Sequence, residues 1–438
     1  MKGLFGRWVV FFLVIFWASA AMALKPGVWN RCTLTEKSPG KFVMHLEGTP
    51  YERGYGMGYL APEAVSRICS FEYYKGVIEY VIKTEVDSEG KLTPIFKKIK
   101  DGFRESVARH KAKLSPEMLD EMQGVAHGAS DQGYPLTIDD VVLLNVGIDA
   151  LLTVAYPLMV PLMPALESVP SACNAFVAFG DYTANGHTYM GRDFMFSGKI
   201  FSDYAMVIEQ VVDENRSFVS VAPPGFLGVM TGMNNSGIGI GVDMITAMDV
   251  EPVFGSIGCL LTCRKVLEEA QSLDEAVDVI RTTRRSAPWI YAIGDGKGGG
   301  AMVEASARYF KVRDSAWRLP WYLRWLTIPK QMEREDELVV ATNHFMVPKM
   351  AILTLPYVKK TSKWRYEMML GLLEGQKGAL NKESAQEIID FLHPPHPYYK
   401  NEDPCQIVNA SVTLFDLTEK KLWSLFGGYC DAWMAFEF

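Results

Sequence analysis

The chain has few histidines and no block of basic residues. Seven histidines occur in 438 residues, and 44 lysines and arginines face 51 aspartates and glutamates, for a formal net charge of −7. An acidic chain without a basic block argues against a nucleic-acid partner, because binding phosphates requires clustered positive charge. Cys259 and Cys263 are four residues apart, with no histidine nearby. This spacing favours two core residues over a zinc site.

Cysteine is also scarce, and its count is odd. The seven cysteines are Cys32, Cys69, Cys173, Cys259, Cys263, Cys405 and Cys430. Even in an oxidising compartment an odd number leaves at least one thiol unpaired. An unpaired thiol is what a cysteine nucleophile requires.

The first 23 residues have the pattern of a secretory signal. Lys2 and Arg7 precede an apolar stretch at 8–17, and small residues follow up to Ala23. This order predicts cleavage near Ala23 and a periplasmic or secreted protein that begins near Leu24. The alternative is an uncleaved membrane anchor, which the shortness of the apolar core disfavours.

The remaining chain divides into a helical part and a strand-rich part. Residues 24–172 contain one short predicted strand, 41–46, and helical periodicity at 62–84, 94–114, 116–129 and 137–155. Beyond Cys173, strands are predicted at 204–212, 218–222, 237–244, 289–293, 301–304 and 338–341, a hairpin at 407–426, and helices at 257–281 and 364–373. The patterning is compatible with packed sheets covered by helices.

A possible nucleophile begins the strand-rich part. The apolar run after Cys173 reads as a strand, and Asn185-Gly186 is a typical hairpin turn. Such a hairpin would return Arg192 and Asp193 towards the thiol. A nearby positive charge and a base are what make a thiol nucleophilic. The alternative for an isolated cysteine is an inert residue on a core strand.

Several motifs, in one order along the chain, resemble those of a known family. They are Gly48 to Gly56, Glu121 to Ala129, Cys173-Asn174-Ala175-Phe176 with Gly191-Arg192-Asp193, Gly232 to Ile238, and Thr342 to Phe345 followed by Ser362 to Arg365. Together they resemble the N-terminal-nucleophile (Ntn) hydrolases of the penicillin acyltransferase-like group, relatives of choloylglycine hydrolases. The resemblance spans about residue 41 to the C-terminus.

The resemblance implies a fold and a processing step. The fold is α+β, a four-layer αββα Ntn-hydrolase sandwich preceded by a mainly helical N-terminal segment. The residue organisation is a signal peptide at 1–23, a helical N-terminal chain at 24–172 and a catalytic chain at 173–438. Self-cleavage between Ala172 and Cys173 would free an α-amine, whose pKa of roughly 8 suits a general base. No cofactor and no metal are implied.

Site residues follow from the same resemblance. Arg192 matches an arginine that lowers the thiol pKa, and Arg365 matches a second arginine that holds the active-site carboxylate or substrate. Asn343 matches an asparagine that donates to the oxyanion. Relatives usually run Gly-Arg-Asn-x-Asp, whereas this chain has Met195 at the aspartate position, so we expect Asp193 to take the polar role towards the α-amine.

Two further residues complete the predicted site. Asn234 and Asp243 are expected to position the substrate or complete the oxyanion hole, the latter with its backbone amide. His344 is a tempting general base, but its neighbours suggest a positioning role only, and we leave it outside the catalytic set.

The resulting expectation is a cysteine amidohydrolase or acyltransferase that cleaves a small-molecule amide. The alternatives are a phospholipase B-like esterase on the same fold and a catalytically inactive secreted binding protein. Trp317, Trp321 and Trp325 lie among arginines, a composition typical of membrane interfaces, and they predict membrane-surface contact and a long acyl chain. A dimer contact or ordinary core is the alternative for this segment.

Overall fold

Two β-sheets lie face to face and organise the fold. The computed structural model describes residues 24–70, 73–74, 93–155, 172–195, 199–314, 337–354, 356–390, 409–427 and 431–438. The predicted signal sequence, the three interfacial tryptophans and two of the cysteines, Cys405 and Cys430, lie outside these ranges. Among the described residues, no helix is both long and apolar enough to cross a membrane.

The strands are numbered in chain order. They are β1 Gly27–Trp29, β2 Cys32–Ser38, β3 Lys41–Glu47, β4 Ala172–Ala178, β5 Tyr189–Met195, β6 Met206–Val211, β7 Ser217–Ala222, β8 Thr231–Asn234, β9 Ile238–Met244, β10 Trp289–Asp295, β11 Gly299–Ala305, β12 Phe310–Asp314, β13 Leu338–Ala341, β14 Asn409–Asp416, β15 Lys421–Gly427 and β16 Met434–Glu437. The larger sheet has the order β1-β2-β3-β6-β7-β8-β9-β10-β11-β12, and the smaller has the order β13-β4-β5-β14-β15-β16.

The helices cover the outer faces of both sheets. They are α1 Pro50–Leu60, α2 Pro62–Ile68, α3 Thr93–Lys111, α4 Pro116–Asp131, α5 Ile138–Ala150, α6 Lys199–Tyr204, α7 Cys259–Glu269, α8 Leu273–Thr282, α9 Pro348–Ala351, α10 Pro356–Glu374 and α11 Lys382–Asp390. Helices α7 and α8 pack on the larger sheet, and α10 and α11 pack on the smaller one. Strand β4 contacts β9, β10 and β11 across the middle. These four layers are the predicted α+β, αββα sandwich.

The N-terminal segment contributes more than helices. Strand β3 pairs in parallel with β6, with Val43 opposite Val207. Strands β1 and β2 extend the same sheet. The sequence predicted a single strand in this segment, so the mainly helical description is incomplete. The two segments on either side of Cys173 share one sheet and one core.

Two of the recognised motifs build a close helix crossing. A Cβ atom on Gly54 of α1 would lie 1.9 Å from the carbonyl oxygen of Glu121, and one on Gly124 of α4 would lie 2.2 Å from that of Tyr51. Glycine alone lets two helix backbones approach this closely. The close packing of the two helices therefore explains the motifs at 48–56 and 121–129.

The same crossing buries a carboxylate between two arginines. Glu121 is 1% exposed, and its carboxylate accepts from Arg53 Nη2 at 3.1 Å and Arg264 Nη2 at 2.7 Å. Burial by itself raises the pKa of Glu121, but the two guanidinium groups outweigh it and lower that pKa below the ordinary value. The ion triad thus ties α1, α4 and α7 together.

Glu121→Gln is expected to lower the free energy of unfolding by about 3–5 kcal/mol at pH 7, because buried Arg53 loses its carboxylate partner and buried Arg264 keeps only Glu268. Since the folded pKa is depressed, the contribution of the carboxylate is present above the ordinary pKa of 4.5 and is lost as the pH falls through the folded value. Urea titrations at pH 7 and at pH 4 measure it. The exposed Glu117→Gln on the same helix is the control, and equal effects in both variants would contradict the triad's role.

Candidate active site

Strands β4 and β5 present Cys173. They pair antiparallel, with Cys173 opposite Phe194 and Asn174 opposite Asp193. The predicted pairing is present, but the prediction of a two-residue turn is wrong. Ten residues separate the strands, and Gly180–Tyr182 form a 3-10 turn among them. Gly186 does adopt a positive φ of 74° within this loop. The longer loop still returns β5 along Cys173.

The alternation of the strands divides the predicted site residues between two faces. Side chains of neighbouring residues point to opposite sides of a strand. Arg192 therefore shares a face with Cys173, towards the larger sheet, whereas Asp193 shares the other face with Asn174. Asp193 Oδ2 accepts from Asn174 Nδ2 at 3.2 Å. The role expected of Asp193 towards the α-amine stays a prediction, and its side chain lies across the strand from the thiol.

Arg192 is a fully buried cation beside the thiol. Its guanidinium donates to the backbone oxygens of Asp193 and Val242, and its Nη2 lies 3.3 Å from Asp243 Oδ1. Gly241 makes room for it, since a Cβ there would lie 2.8 Å from Arg192 Cδ. Burial opposes the charge, but Asp243 and Cys173 raise the pKa of Arg192 above its ordinary value.

Asp243 contributes its side chain to the site, where the carboxylate lies beside Arg192. The residue is fully buried, and burial raises the pKa of its carboxyl group against the opposing charges of Arg192 and Arg365. Asp243 thus helps to hold Arg192 in place. Its predicted contribution through the backbone amide stays a prediction.

Asn343 binds the nitrogen of Cys173. Its Oδ1 accepts from Cys173 N at 2.7 Å and from Arg365 Nη2 at 2.8 Å. Its Nδ2, the donor expected to meet an oxyanion, donates to Met244 O at 2.8 Å. In this geometry Asn343 positions the nitrogen atom that cleavage would turn into the α-amine, and its predicted donation to an oxyanion stays a prediction.

Arg365 joins three acceptors around the nucleophile. Besides Asn343, its Nη1 donates to Cys173 O at 2.7 Å and to Asn174 Oδ1 at 2.6 Å. The residue projects from α10 and is 2% exposed. These contacts place Arg365 beside Cys173, and the role predicted for it towards a carboxylate or a substrate stays a prediction.

Asn234 does not belong to the site. Its Nδ2 donates to the carbonyls of Leu267 and Ala270, and its Oδ1 accepts from the amides of Ser236 and Ile238. Ile238 and Asp243 are five positions apart along β9, roughly 17 Å at strand spacing. Asn234 instead ties the β8–β9 turn to the end of α7, so its predicted role is wrong.

Three residues that support the site were assigned no role from the sequence, namely Thr342, Ser362 and Glu304. Ser362 Oγ lies 2.7 Å from His344 Nδ1 and donates to Thr342 Oγ1 at 2.8 Å. This network joins the loop that carries Asn343 to the helix that carries Arg365.

The other missed residue, Glu304, supports the same loop from the larger sheet. Its carboxylate accepts from the amides of Met346 and Val347 at 3.0 Å and from Arg313 Nε at 2.6 Å. A glutamate in the apolar strand Ala301–Ala305 was the available signal, since a buried carboxylate requires partners.

The thiol faces an apolar cavity and is itself a weak acid in the intact chain. Cys173 is 2% exposed and lines the cavity with Phe194, Met195, Val242 and Met244. Burial raises the pKa of the thiol above its ordinary value, and the nearby Arg192 offsets only part of this. The thiol is therefore protonated at neutral pH and needs a base before it can attack.

The other described thiols are structural. Cys32, Cys69, Cys259 and Cys263 are all free and buried. Cys259 and Cys263 lie in the main hydrophobic core, as the sequence favoured. Within the part of the chain that the structure describes, no group of three histidine, cysteine or carboxylate side chains could hold a metal ion.

Comparison with models of known protein families shows which family the chain belongs to. The model of the acyl-coenzyme A:6-aminopenicillanic acid acyl-transferase family matches residues 183–429, more than half of the chain. The chain belongs to this family. The match confirms the predicted membership and includes Arg192, Asp193, Asn343 and Arg365, while Cys173 lies just before it. The family and the layered fold are those of the Ntn-hydrolase group.

Individual relatives extend the comparison. An uncharacterized protein of Archaeoglobus fulgidus is 43% identical over 402 residues, which are 91% of this chain and 66% of that protein. The chain thus spans just under two thirds of that relative's length.

Solved structures of enzymes are more distant. The N-acylethanolamine-hydrolyzing acid amidase ortholog of Caenorhabditis elegans has a TM-score of 0.39 at 16% identity, over 56% of this chain and 93% of its own. Conjugated bile acid hydrolase of Clostridium perfringens has a TM-score of 0.40 at 12% identity, over 60% and 92%. Penicillin V acylase of Agrobacterium tumefaciens has a TM-score of 0.38 at 14% identity, over 58% and 83%. Similarity this remote does not bear on the reaction.

Proposed function

We propose that the chain is a self-processing cysteine amidohydrolase or acyltransferase with Cys173 as its nucleophile. The observation that supports this most is the contact between Cys173 N and Asn343 Oδ1 at 2.7 Å, with Arg192 on the thiol's face of the strand. A structural cysteine on a core strand requires neither a side-chain acceptor for its nitrogen nor a buried cation beside its sulfur.

Activation is proposed to begin with the thiol of Cys173 attacking the carbonyl carbon of Ala172. The carbon–nitrogen bond between them breaks, the nitrogen takes the thiol proton, and a thioester remains. Water then hydrolyses the thioester to the Ala172 carboxylate and restores the thiol. The new α-amine stays within reach of Asn343 Oδ1, which already accepts from that nitrogen.

Turnover uses the same atoms. The α-amine accepts the proton of the thiol, and sulfur bonds to the acyl carbon of the substrate. The amide nitrogen leaves with that proton, and water or a second amine then removes the acyl group. Arg192 provides the fixed positive charge that stabilises the thiolate once the base is present.

Location and membrane contact are part of the proposal. The pattern of residues 1–23 supports export to the periplasm or the exterior. The composition around Trp317, Trp321 and Trp325 supports contact with a membrane surface. A small-molecule amide is the proposed substrate in either case.

An acyl adduct on Cys173 tests this function. Wild-type protein incubated with an activated acyl ester and quenched in acid should gain the mass of one acyl group, and peptide mapping should place it on Cys173. Cys263→Ala, which removes a buried thiol elsewhere, should acylate as wild type does. Acylation that persists in Cys173→Ala would contradict the assignment, and an intact, unreactive chain would favour the binding-protein alternative.

A further inference from the structure

The cavity at Cys173 has walls that are almost wholly apolar. Tyr73, Tyr74, Phe226 and Trp289 provide aromatic surface, and Leu260 of α7 provides aliphatic surface. No charged side chain of the described residues lines it. A charged amine or phosphate would be desolvated there without a partner, which is costly. The cavity therefore suits the acyl side of an amide.

The polar atoms of Tyr74 and Trp289 are already hydrogen-bonded to groups outside the cavity. Tyr74 Oη donates to the carbonyl of Leu144 at 2.7 Å, and Trp289 Nε1 lies 3.3 Å from Asp149 Oδ1. Their rings thus present carbon surface to the cavity, with no donor left over from either group. A hydroxylated acyl group would therefore find no hydrogen-bond donor on Tyr74 or Trp289.

Asp149 fixes the indole of Trp289. This carboxylate is 2% exposed, and its other oxygen, Oδ2, accepts from the amide of Cys259 at 2.8 Å. That amide is at the N-terminus of α7, where a negative charge is favoured. The indole of Trp289 is therefore positioned by Asp149, which is itself hydrogen-bonded to the N-terminus of α7.

The space that remains is small. The cavity volume is about 30 Å³, enough for about two water molecules in a row. Trp289 is the largest side chain in the wall, so it restricts the volume more than any other single residue. Close packing of the surrounding core resists expansion, because the neighbouring side chains already interdigitate.

From these observations we infer that Trp289, held by Asp149, is a specificity-determining residue that limits the enzyme to short, uncharged acyl groups. The inference rests on the proposed function, since it assumes that Cys173 takes the acyl group. It differs from the long-chain expectation based on the tryptophan-rich segment, and one experiment separates the two.

The test is the ratio of kcat/KM for decanoyl and butanoyl amides of one fluorogenic amine. Wild type should prefer butanoyl by about tenfold or more. Trp289→Ala should raise the decanoyl-to-butanoyl ratio by about tenfold or more, because each additional buried methylene is worth roughly 0.8 kcal/mol. Leu260→Ala widens the same cavity from another side and should shift the ratio in the same direction. It serves as the test if Trp289→Ala fails to fold.

Tyr291→Phe is the matched control. Tyr291 is on the same strand two residues further on, is fully buried, and its hydroxyl has no hydrogen-bond partner within the described residues. Tyr291 does not line the cavity, so the decanoyl-to-butanoyl ratio of Tyr291→Phe should equal that of wild type.

A wild-type preference for decanoyl, or a ratio unchanged in Trp289→Ala and Leu260→Ala, would overturn the inference while leaving the amidohydrolase intact. Turnover that continues unchanged in Cys173→Ala would instead overturn the proposed function.

Discussion

Cys173→Ala should remain a single chain and lose turnover of N-acyl amides by about 1000-fold or more, the range seen when a nucleophile is removed from an enzyme that retains its binding site. Both effects have one cause, since the same sulfur is needed to cut the Ala172–Cys173 bond and to accept the acyl group. Gel electrophoresis under denaturing conditions and a fluorogenic assay measure them.

Cys173→Ser separates the two effects. A hydroxyl retains the geometry but is a weaker nucleophile, so slow cleavage with little turnover is expected. Cys263→Ala removes a thiol of the core and should process and react normally, within the limits of its stability. Full activity in an uncut wild type would contradict the proposal that the free α-amine is the base.

Arg365→Ala should cause the second-largest loss, about 100-fold or more in kcat/KM per folded molecule. The guanidinium meets the carbonyl of Cys173 and the side-chain oxygens of Asn174 and Asn343, so its removal releases all three at once. Asn343→Ala should act in the same direction, because Cys173 N loses its acceptor.

Stability must be measured beside activity in these variants. Asn343 Oδ1 keeps its bond from Cys173 N, whereas Cys173 O and Asn174 Oδ1 lose the guanidinium donor. A buried acceptor left without a donor costs about 1–3 kcal/mol, so Arg365→Ala will also melt at a lower temperature. Arg365→Lys keeps the charge but not the planar fork, and it should fold better than the alanine variant while recovering little activity. Activity lost only in proportion to folded protein would support a purely structural role.

Much of the fold could be predicted because it depends on local patterns. The strands predicted from Tyr204 onwards and the helical stretch predicted at 257–281 follow periodicity, and Ser272 caps the start of α8, so both depend on neighbouring residues. Helix α2 ends at Ile68, inside the range 62–84 predicted as one helix; of the rest of that range, 71–72 and 75–84 lie outside the described residues. Strand β1 was missed because a three-residue edge strand carries little periodic signal, and β2 was missed because its last four residues are all exposed and do not alternate.

The site was harder to predict because it depends on contacts distant in sequence. Pairing of β4 with β5 is local, so Arg192 and Asp193 were expected beside Cys173. The direction in which Asn343 presents its amide depends on Met244 and Arg365, which no spacing reveals. Asparagine is a residue type suited to an oxyanion hole, but the side chain of Asn234 already bonds four backbone groups at a turn.

The most direct test is an intact-mass spectrum of the mature wild-type protein combined with N-terminal sequencing. The account predicts two chains of about 17 and 30 kDa, scaled by residue number from a total of 49.0 kDa, with Cys173 as the first residue of the larger chain. A single uncut chain that is nevertheless active, or a second chain that begins at any other residue, would contradict it.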